Sequence, residues 1–467
     1  MMGSAGATAA KVVNDVVSFL IFTALDVLDV LLCMVYKLAD YAFEAEWRPC
    51  YCSSAGADRI AAGGGNILLS ERGGPSRVVC LHNSKIHLDD ISDTLFDRPS
   101  LVSEVCKSNK SRLVVQKSSS RSPPVTVNST IVEKIGRLKS TPIPRWSDCD
   151  CATCASWSSP SSKETRLFVH ADGAKENVKE DVVFIHGFIS SSKFWTETVF
   201  EKFSEETKRD YRLIAVDLLG FGRSPKPTDS LYTMREHVDM IEKSVLEPYN
   251  LKSFHIVAHS LGCILALAIA VKYPNSVKSL TLLAPPYFPV PKGEMGTQFV
   301  LRRVAPRRVW PLIAFGASMA GWYEHISRTI CLVICKNHRV WDFIAQQITR
   351  HRVKTFLIEG FMCHTHNAAW HTLHNIICGS ADKIDGYLDA VNERLTCNVN
   401  VFHGRDDELL PVECSEAVGS RIARARVKVV EKKDHITIVV GRQKAFAREL
   451  EEIWKNSIST VTTNKNK

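Results

Sequence analysis

The sequence predicts an α/β protein: a mostly parallel sheet with helices on both faces. Three observations carry that expectation. From Asp181 onward, short runs rich in β-branched residues ("DVVFIHGFISS", "YRLIAVDLLGFGRSPKP", "VKSLTLLAPP") alternate with helical stretches such as 234–248. The strands end in loops carrying Gly, Asp and His, where parallel sheets gather their active sites. Finally, "HIVAHSLGCILALAIAV" (255–271) passes from strand to helix through a single serine, Ser260.

The N-terminal segment, 1–45, is read as a targeting or anchor element. Residues 12–39 are the most apolar stretch and are long enough to span a bilayer, but Asp15, Asp26 and Asp29 interrupt them. At 100° per residue, Asp26 and Asp29 fall about 20° and about 40° from Asp15, and Asp40 joins the same face. This predicts a long apolar helix with an acidic stripe. It is either a membrane helix whose stripe faces a partner or a helix lying in the interface. Val16–Leu25 has signal-peptide length, but no A-x-A site follows, so it reads as an uncleaved or inefficiently cleaved targeting segment. Met2 stands where N-myristoylation needs Gly.

Residues 46–165 form a Cys-containing, Ser/Lys-rich region. Of the chain's net charge of +9, +7 lies between Ser103 and Ser147, in nine Lys or Arg against two Glu. Its Ser/Lys/Pro texture is that of a solvated linker rather than a nucleic-acid arm, so no nucleic-acid partner is expected. The odd count of fifteen cysteines leaves at least one outside intrachain bridges. "CYC" (50–52) and "CDCATC" (149–154) read as disulfide-bonded or lipidated thiols. Cys151-x-x-Cys154 is half a zinc site, but no second pair stands at finger spacing, so no metal is expected. Asn109 and Asn128 are glycosylation sequons if the region is luminal.

The core occupies 166–285 and 396–457, with a tail at 458–467. Ala258 and Gly262 flank Ser260 in the G-x-S-x-G elbow pattern, with Ala in the first place, which marks Ser260 as a nucleophile. An acyl-transfer site needs two amides aimed at the oxyanion. Leu261 N–H, at the helix start, and Phe188 N–H, in the "HGF" turn after the first strand, suit that task. Gly187 allows close approach, and His186 braces the loop. The acid and base follow in chain order. "CNVNVFHGRDDELLPVE" ends a strand in a carboxylate-bearing turn, and His435 is the only histidine downstream of it. Asp407, three beyond Gly404 and four before Pro411, is preferred to Asp406 as the orienting acid. His435 is the general base.

The insert 286–395 reads as a helical cap whose apolar residues cover an acyl-binding cleft. Its aromatics are Trp310, Trp322, Tyr323, Phe343 and Trp370. His364, His366, His371 and His374 are read as structural, because no nearby carboxylate completes a ligand set.

Segments 181–284 and 396–457 resemble the α/β-hydrolase fold superfamily. "EWRPCYC", "LDDISDTLFDRPSL", "TVNSTIVEKIGRLKSTPIPRWSDCDCATCASW", "WYEHISRTICLVICKNH", "FMCHTHNAAWHTLHNII" and "KDHITIVVGRQKAFARELE" are similar to the plant BODYGUARD family over nearly the whole chain. The resemblance implies a lysophospholipase-type hydrolase of the epidermal cell wall or plasma membrane, needed for the cutin-based cuticle. It implies a Ser260–Asp407–His435 triad, with His186 in the oxyanion-loop motif. It also implies a lipid or acyl-ester substrate and no cofactor. Acyl transfer by the same acyl-enzyme, or ligand binding without catalysis, are the alternative functions.

Overall fold

The computed structural model describes residues 2–45, 68–69, 77–78, 90–95, 145–158, 166–228, 230–350 and 355–464. Cys50, Cys52, the two sequons and most of the basic stretch lie outside these residues.

Seven strands form one sheet: β1 (Val169–Gly173), β2 (Glu180–Ile185), β3 (Tyr211–Val216), β4 (Phe254–His259), β5 (Val277–Leu283), β6 (Asn398–Gly404) and β7 (Arg426–Val430). Their spatial order is β1-β3-β2-β4-β5-β6-β7. Only β1 is antiparallel, running against β3. The other neighbours are parallel. The central strands are covered on both sides, which is why they read as unbroken apolar runs. Alternate residues go to opposite faces. Val183, Ile185, Ile214, Val216, Ile256 and Ala258 pack into one cluster with the Leu261–Lys272 helix. Val182, Phe184, Leu213, Ala215 and Val257 pack into the other, with Trp195, Phe200 and Trp454.

Between β5 and β6 the chain leaves the sheet through helices Gly296–Val304, Leu312–Trp322, Glu324–Ile334, His338–Ile348, Thr355–Met362 and His366–Thr372. The last helix of the 286–395 span, Ala381–Arg394, instead joins the core layer and buries Ile384, Leu388 and Val391. The cap aromatics divide. Trp322, Tyr323 and Trp370 are buried, whereas Trp310 and Phe343 are about two-thirds exposed, at 66% and 64%. Trp322 is held in place by its indole N–H, which donates to Ala305 O at 2.6 Å.

The N-terminal helix, Met2–Glu44, lies against this cap, and the partner of its acidic stripe is the chain itself. Asp26 accepts from the Tyr323 hydroxyl (2.7 Å) and from Arg307 (3.2 Å). Asp29 Oδ1 accepts the His325 and Ile326 amides (2.9 and 3.0 Å), capping the Glu324–Ile334 helix. Asp40 takes both terminal nitrogens of Arg328 at 2.7 and 2.6 Å, and the Trp146 indole at 2.6 Å. Asp15 stays exposed and makes no part of this contact set. Phe19, Leu20, Leu31, Val35 and Leu38 face outward and exposed.

Candidate active site

The site is assembled where β2, β4 and β6 end. β4 is wholly buried and runs straight into the Leu261–Lys272 helix. Ser260, at the junction, has φ 52° and ψ −122°, a strained region for a side-chain-bearing residue. The turn is this tight because Gly262 nestles under the end of β2. A Cβ there would lie 2.7 Å from the carbonyls of Ile185 and His186. Gly187 also passes close, and a Cβ on it would stand 3.1 Å from Ser260 Cβ. The loop bearing Gly187 and Phe188 is therefore pressed against Ser260. Leu261 opens the helix there, and the first amides of a helix have no intrahelical acceptor.

His186 holds that loop rather than entering it. Its Nε2 accepts the Leu218 amide at 2.9 Å, so Nδ1 carries the proton and donates to Gly187 O at 2.7 Å. Complete burial lowers its pKa and keeps it neutral. Asp217, next along, accepts the Ser192 amide at 2.5 Å and the Arg223 amide at 2.8 Å, tying the loops after β2 and β3 together.

At the end of β6, Gly404 turns under Lys433. Asp407 then points inward with its side chain fully covered. Asp407 Oδ2 accepts from His435 Nδ1 at 2.7 Å. Its Oδ1 accepts the Leu409 and Leu410 amides, each at 2.9 Å. Burial alone would raise this carboxyl, but hydrogen bonding by His403 and His435 outweighs it and holds the pKa well below the usual carboxylate range. Asp406, one residue earlier, is exposed. His403 is fixed in turn, its Nε2 donating to Leu410 O at 2.9 Å and its Nδ1 accepting from Ser415 Oγ at 2.6 Å.

One contributor escaped the sequence reading. His259, immediately before Ser260, stacks on Phe194 with centroids 4.8 Å apart, and on its other side meets the His435 ring at 4.7 Å. Its Nε2 donates to His435 O at 2.9 Å, and burial pushes its pKa down to about 3, so it stays a neutral donor. β4 thus carries its own strut to the loop that bears His435. An apolar strand ending in His is common, and nothing local marks this one out.

Above the site, Lys193 pairs with Glu359 of the cap at 2.5 Å, and Gly360 packs on Ser191. Among the cap histidines, His374 Nδ1 meets Thr94 Oγ1 at 2.8 Å. Two Cys/His groups of metal-ligand spacing also occur, Cys149/Cys151/Cys154/His338 and Cys331/Cys335/His364.

Residues 182–441 match the family model described as alpha/beta hydrolase fold, and the sheet order and elbow agree, so the chain is a hydrolase of that fold. Similarity reaches further than the core. The Arabidopsis thaliana proteins named "Probable lysophospholipase BODYGUARD 3" and "Probable lysophospholipase BODYGUARD 1" are 57% and 56% identical to it. The matches cover 97% and 96% of this chain and 98% and 97% of those relatives. The chain belongs to the BODYGUARD family. Among solved structures, an esterase from Exiguobacterium antarcticum aligns with 62% of this chain and 95% of its own, at 20% identity and a TM-score of 0.44.

Proposed function

We propose that the protein cleaves fatty acyl esters of the lysophospholipid or cutin type through an acyl-enzyme on Ser260. His435 Nε2 takes the Ser260 proton as Oγ attacks the ester carbonyl. It then returns the proton to the departing alcohol, and water repeats the sequence to release the acid. Asp407 keeps His435 protonated at Nδ1, leaving Nε2 free to accept. The amides of Phe188 and Leu261 receive the oxyanion. The observation that carries the reading is the 2.7 Å Asp407–His435 hydrogen bond beside a serine strained at φ 52°. The names of the relatives support the lysophospholipid class, and the family resemblance supports a role in forming the cuticle at the epidermal wall. A panel of lysophospholipids and acyl esters of graded chain length tests it. Acid release by the wild type and none by Ser260→Ala is expected. Absence of turnover on every long-chain ester would overturn the substrate class.

The same reading places the N-terminal helix in the plane of a membrane surface. It is long and apolar enough to cross one, with mean hydropathy 2.3 over its most apolar window. Pulling it off the cap to span would strand Arg328 and break the Asp40 pair, a loss of about 3–5 kcal/mol for a buried ion pair. With Asp26, Asp29 and Asp40 turned inward, the outward apolar face suits the interface between headgroups and acyl chains, where acyl-ester substrates reside. A mobility shift on deglycosylation at Asn128 is expected if the body faces the lumen or wall. An unglycosylated, cytosolic protein would reject that placement.

A further inference from the structure

Seven cysteine and histidine side chains from three separated stretches converge in two groups that the hydrolase chemistry does not use. In the first, the ligand atoms of Cys149, Cys151, Cys154 and His338 all lie within 4.8 Å of one another. Cys151 Sγ is 3.5 Å and Cys154 Sγ 3.7 Å from His338 Nε2. In the second, Cys331 Sγ and Cys335 Sγ each lie 3.7 Å from His364 Nε2. Cys331, Cys335 and His364 are all buried.

We infer that the two clusters are zinc sites, one with four protein ligands (Cys149, Cys151, Cys154, His338) and one with three (Cys331, Cys335, His364). Tetrahedral zinc, with Zn–S about 2.3 Å and Zn–N about 2.0–2.1 Å, sets sulfur–nitrogen edges at roughly 3.5–3.6 Å. All four observed edges fall on that value or within about 0.2 Å of it. Thiolate and imidazole donors without a carboxylate select zinc over calcium or magnesium. The Cys154 amide also points at Cys151 Sγ at 3.5 Å, the contact that steadies a ligating thiolate. A disulfide would join sulfurs in pairs and give histidine no part, whereas here one imidazole faces two sulfurs in each group, at 3.5 and 3.7 Å in the first and at 3.7 Å from both in the second. None of the eleven described cysteines is bridged.

The sites explain how the cap is fastened. The first ties the Cys149–Cys154 segment to the start of the His338–Ile348 helix. Within that segment Arg339 donates to Thr153 Oγ1 at 3.0 Å, and just before it Lys336 Nζ donates to Trp146 O and Arg328 Nε donates to Ser147 Oγ, at 2.6 and 3.0 Å. The second ties the Glu324–Ile334 helix to His364, whose backbone pairs with Phe221. Phe221 meets Phe188 and His186 edge-on at 5.9 and 6.2 Å. Zinc therefore braces both the cap and, through Phe221, the loop beside Ser260.

The test is metal content of the full-length chain, purified in detergent from a secretory host without added zinc, together with X-ray absorption at the zinc edge. Two zinc ions per chain are expected, with sulfur at about 2.3 Å and nitrogen at about 2.0–2.1 Å. Cys151→Ser/Cys154→Ser and Cys331→Ser/Cys335→Ser should each remove one ion. The absorption spectrum of the wild type decides the coordination even where a variant fails to fold. Fewer than about 0.2 zinc per chain overturns both sites, whether intact mass shows the five cysteines as free thiols or partly joined in disulfides. Two ions retained in Cys331→Ser/Cys335→Ser overturn the second site, and two retained in Cys151→Ser/Cys154→Ser overturn the first.

Discussion

Replacing Asp407 by Asn separates the orienting carboxylate from its neighbour Asp406. Both oxygens of Asp407 are engaged, Oδ2 by His435 Nδ1 and Oδ1 by the amides of Leu409 and Leu410. An asparagine keeps one acceptor and gains a donor. If its oxygen stays on the two amides, its NH₂ faces His435 Nδ1, which must then accept. The imidazole is left with its proton on Nε2, the wrong tautomer to take a proton from Ser260. The opposite flip sets the NH₂ against two amide donors and loses both hydrogen bonds. Loss of an orienting aspartate of this kind lowers kcat by about 10⁴, or about 5.5 kcal/mol at 1.36 per decade, with KM little changed. Asp406 is exposed, so Asp406→Asn should cost tenfold or less through a weakened local field. Stability moves in a known direction too. Because folding depresses the Asp407 pKa, its contribution is full above the ordinary carboxylate value and fades as pH falls through the depressed one. Asp407→Asn should flatten that acid-side loss. Steady-state kinetics of both variants on one soluble ester is the assay, with pH-dependent melting alongside. An inactive Asp406→Asn beside an active Asp407→Asn would refute the reasoning.

Gly187→Ala puts a Cβ 3.1 Å from Ser260 Cβ and 3.0 Å from His259 Nδ1, so the loop proposed to hold the oxyanion must shift. A fall in kcat of about 10²–10³ is expected, the size of one lost oxyanion donor, and unchanged kcat would show that the loop carries no donor. Arg328→Ala leaves Asp40 buried without its guanidinium partner, and the urea midpoint should drop by the equivalent of about 3–5 kcal/mol. A drop below about 1 kcal/mol, the size of a surface pair, would mean that the N-terminal helix is not docked in solution.

What the sequence disclosed follows from what is local. Ser260 between Ala258 and Gly262 is a short-range pattern, because the turn's sterics involve adjacent residues. Apolar continuity in β2 and β4 is likewise a direct record of two-sided burial. The spacing from Gly404 to Asp407 to Pro411 singled out the carboxylate that faces His435, since neighbouring residues of an extended turn point apart. The acidic stripe of the N-terminal helix was also legible, being a matter of 100° steps, but its partners were not. Arg307, His325 and Arg328 lie some 280 to 300 positions away, and only the packed cap brings them over. The same distance hid the Cys/His groups. Cys149, Cys151 and Cys154 stand together in the sequence, but their histidine, His338, lies more than 180 positions away and only the fold brings it over. The run "CLVICKNH", with Cys331, Cys335 and His338 at helical spacing, was the available signal. His259 and the core position of Ala381–Arg394 depend on tertiary packing that no local pattern encodes.

The central claim is that Ser260 is the nucleophile, and covalent labelling of the purified full-length protein with a fluorophosphonate probe tests it most directly. The adduct should map by peptide mass to Ser260. It should be absent in Ser260→Ala, whose small side chain fits the same turn, and that variant should retain the wild-type melting temperature while ester turnover falls by about 10⁴–10⁶. Undiminished labelling or turnover in a folded Ser260→Ala protein would contradict the account.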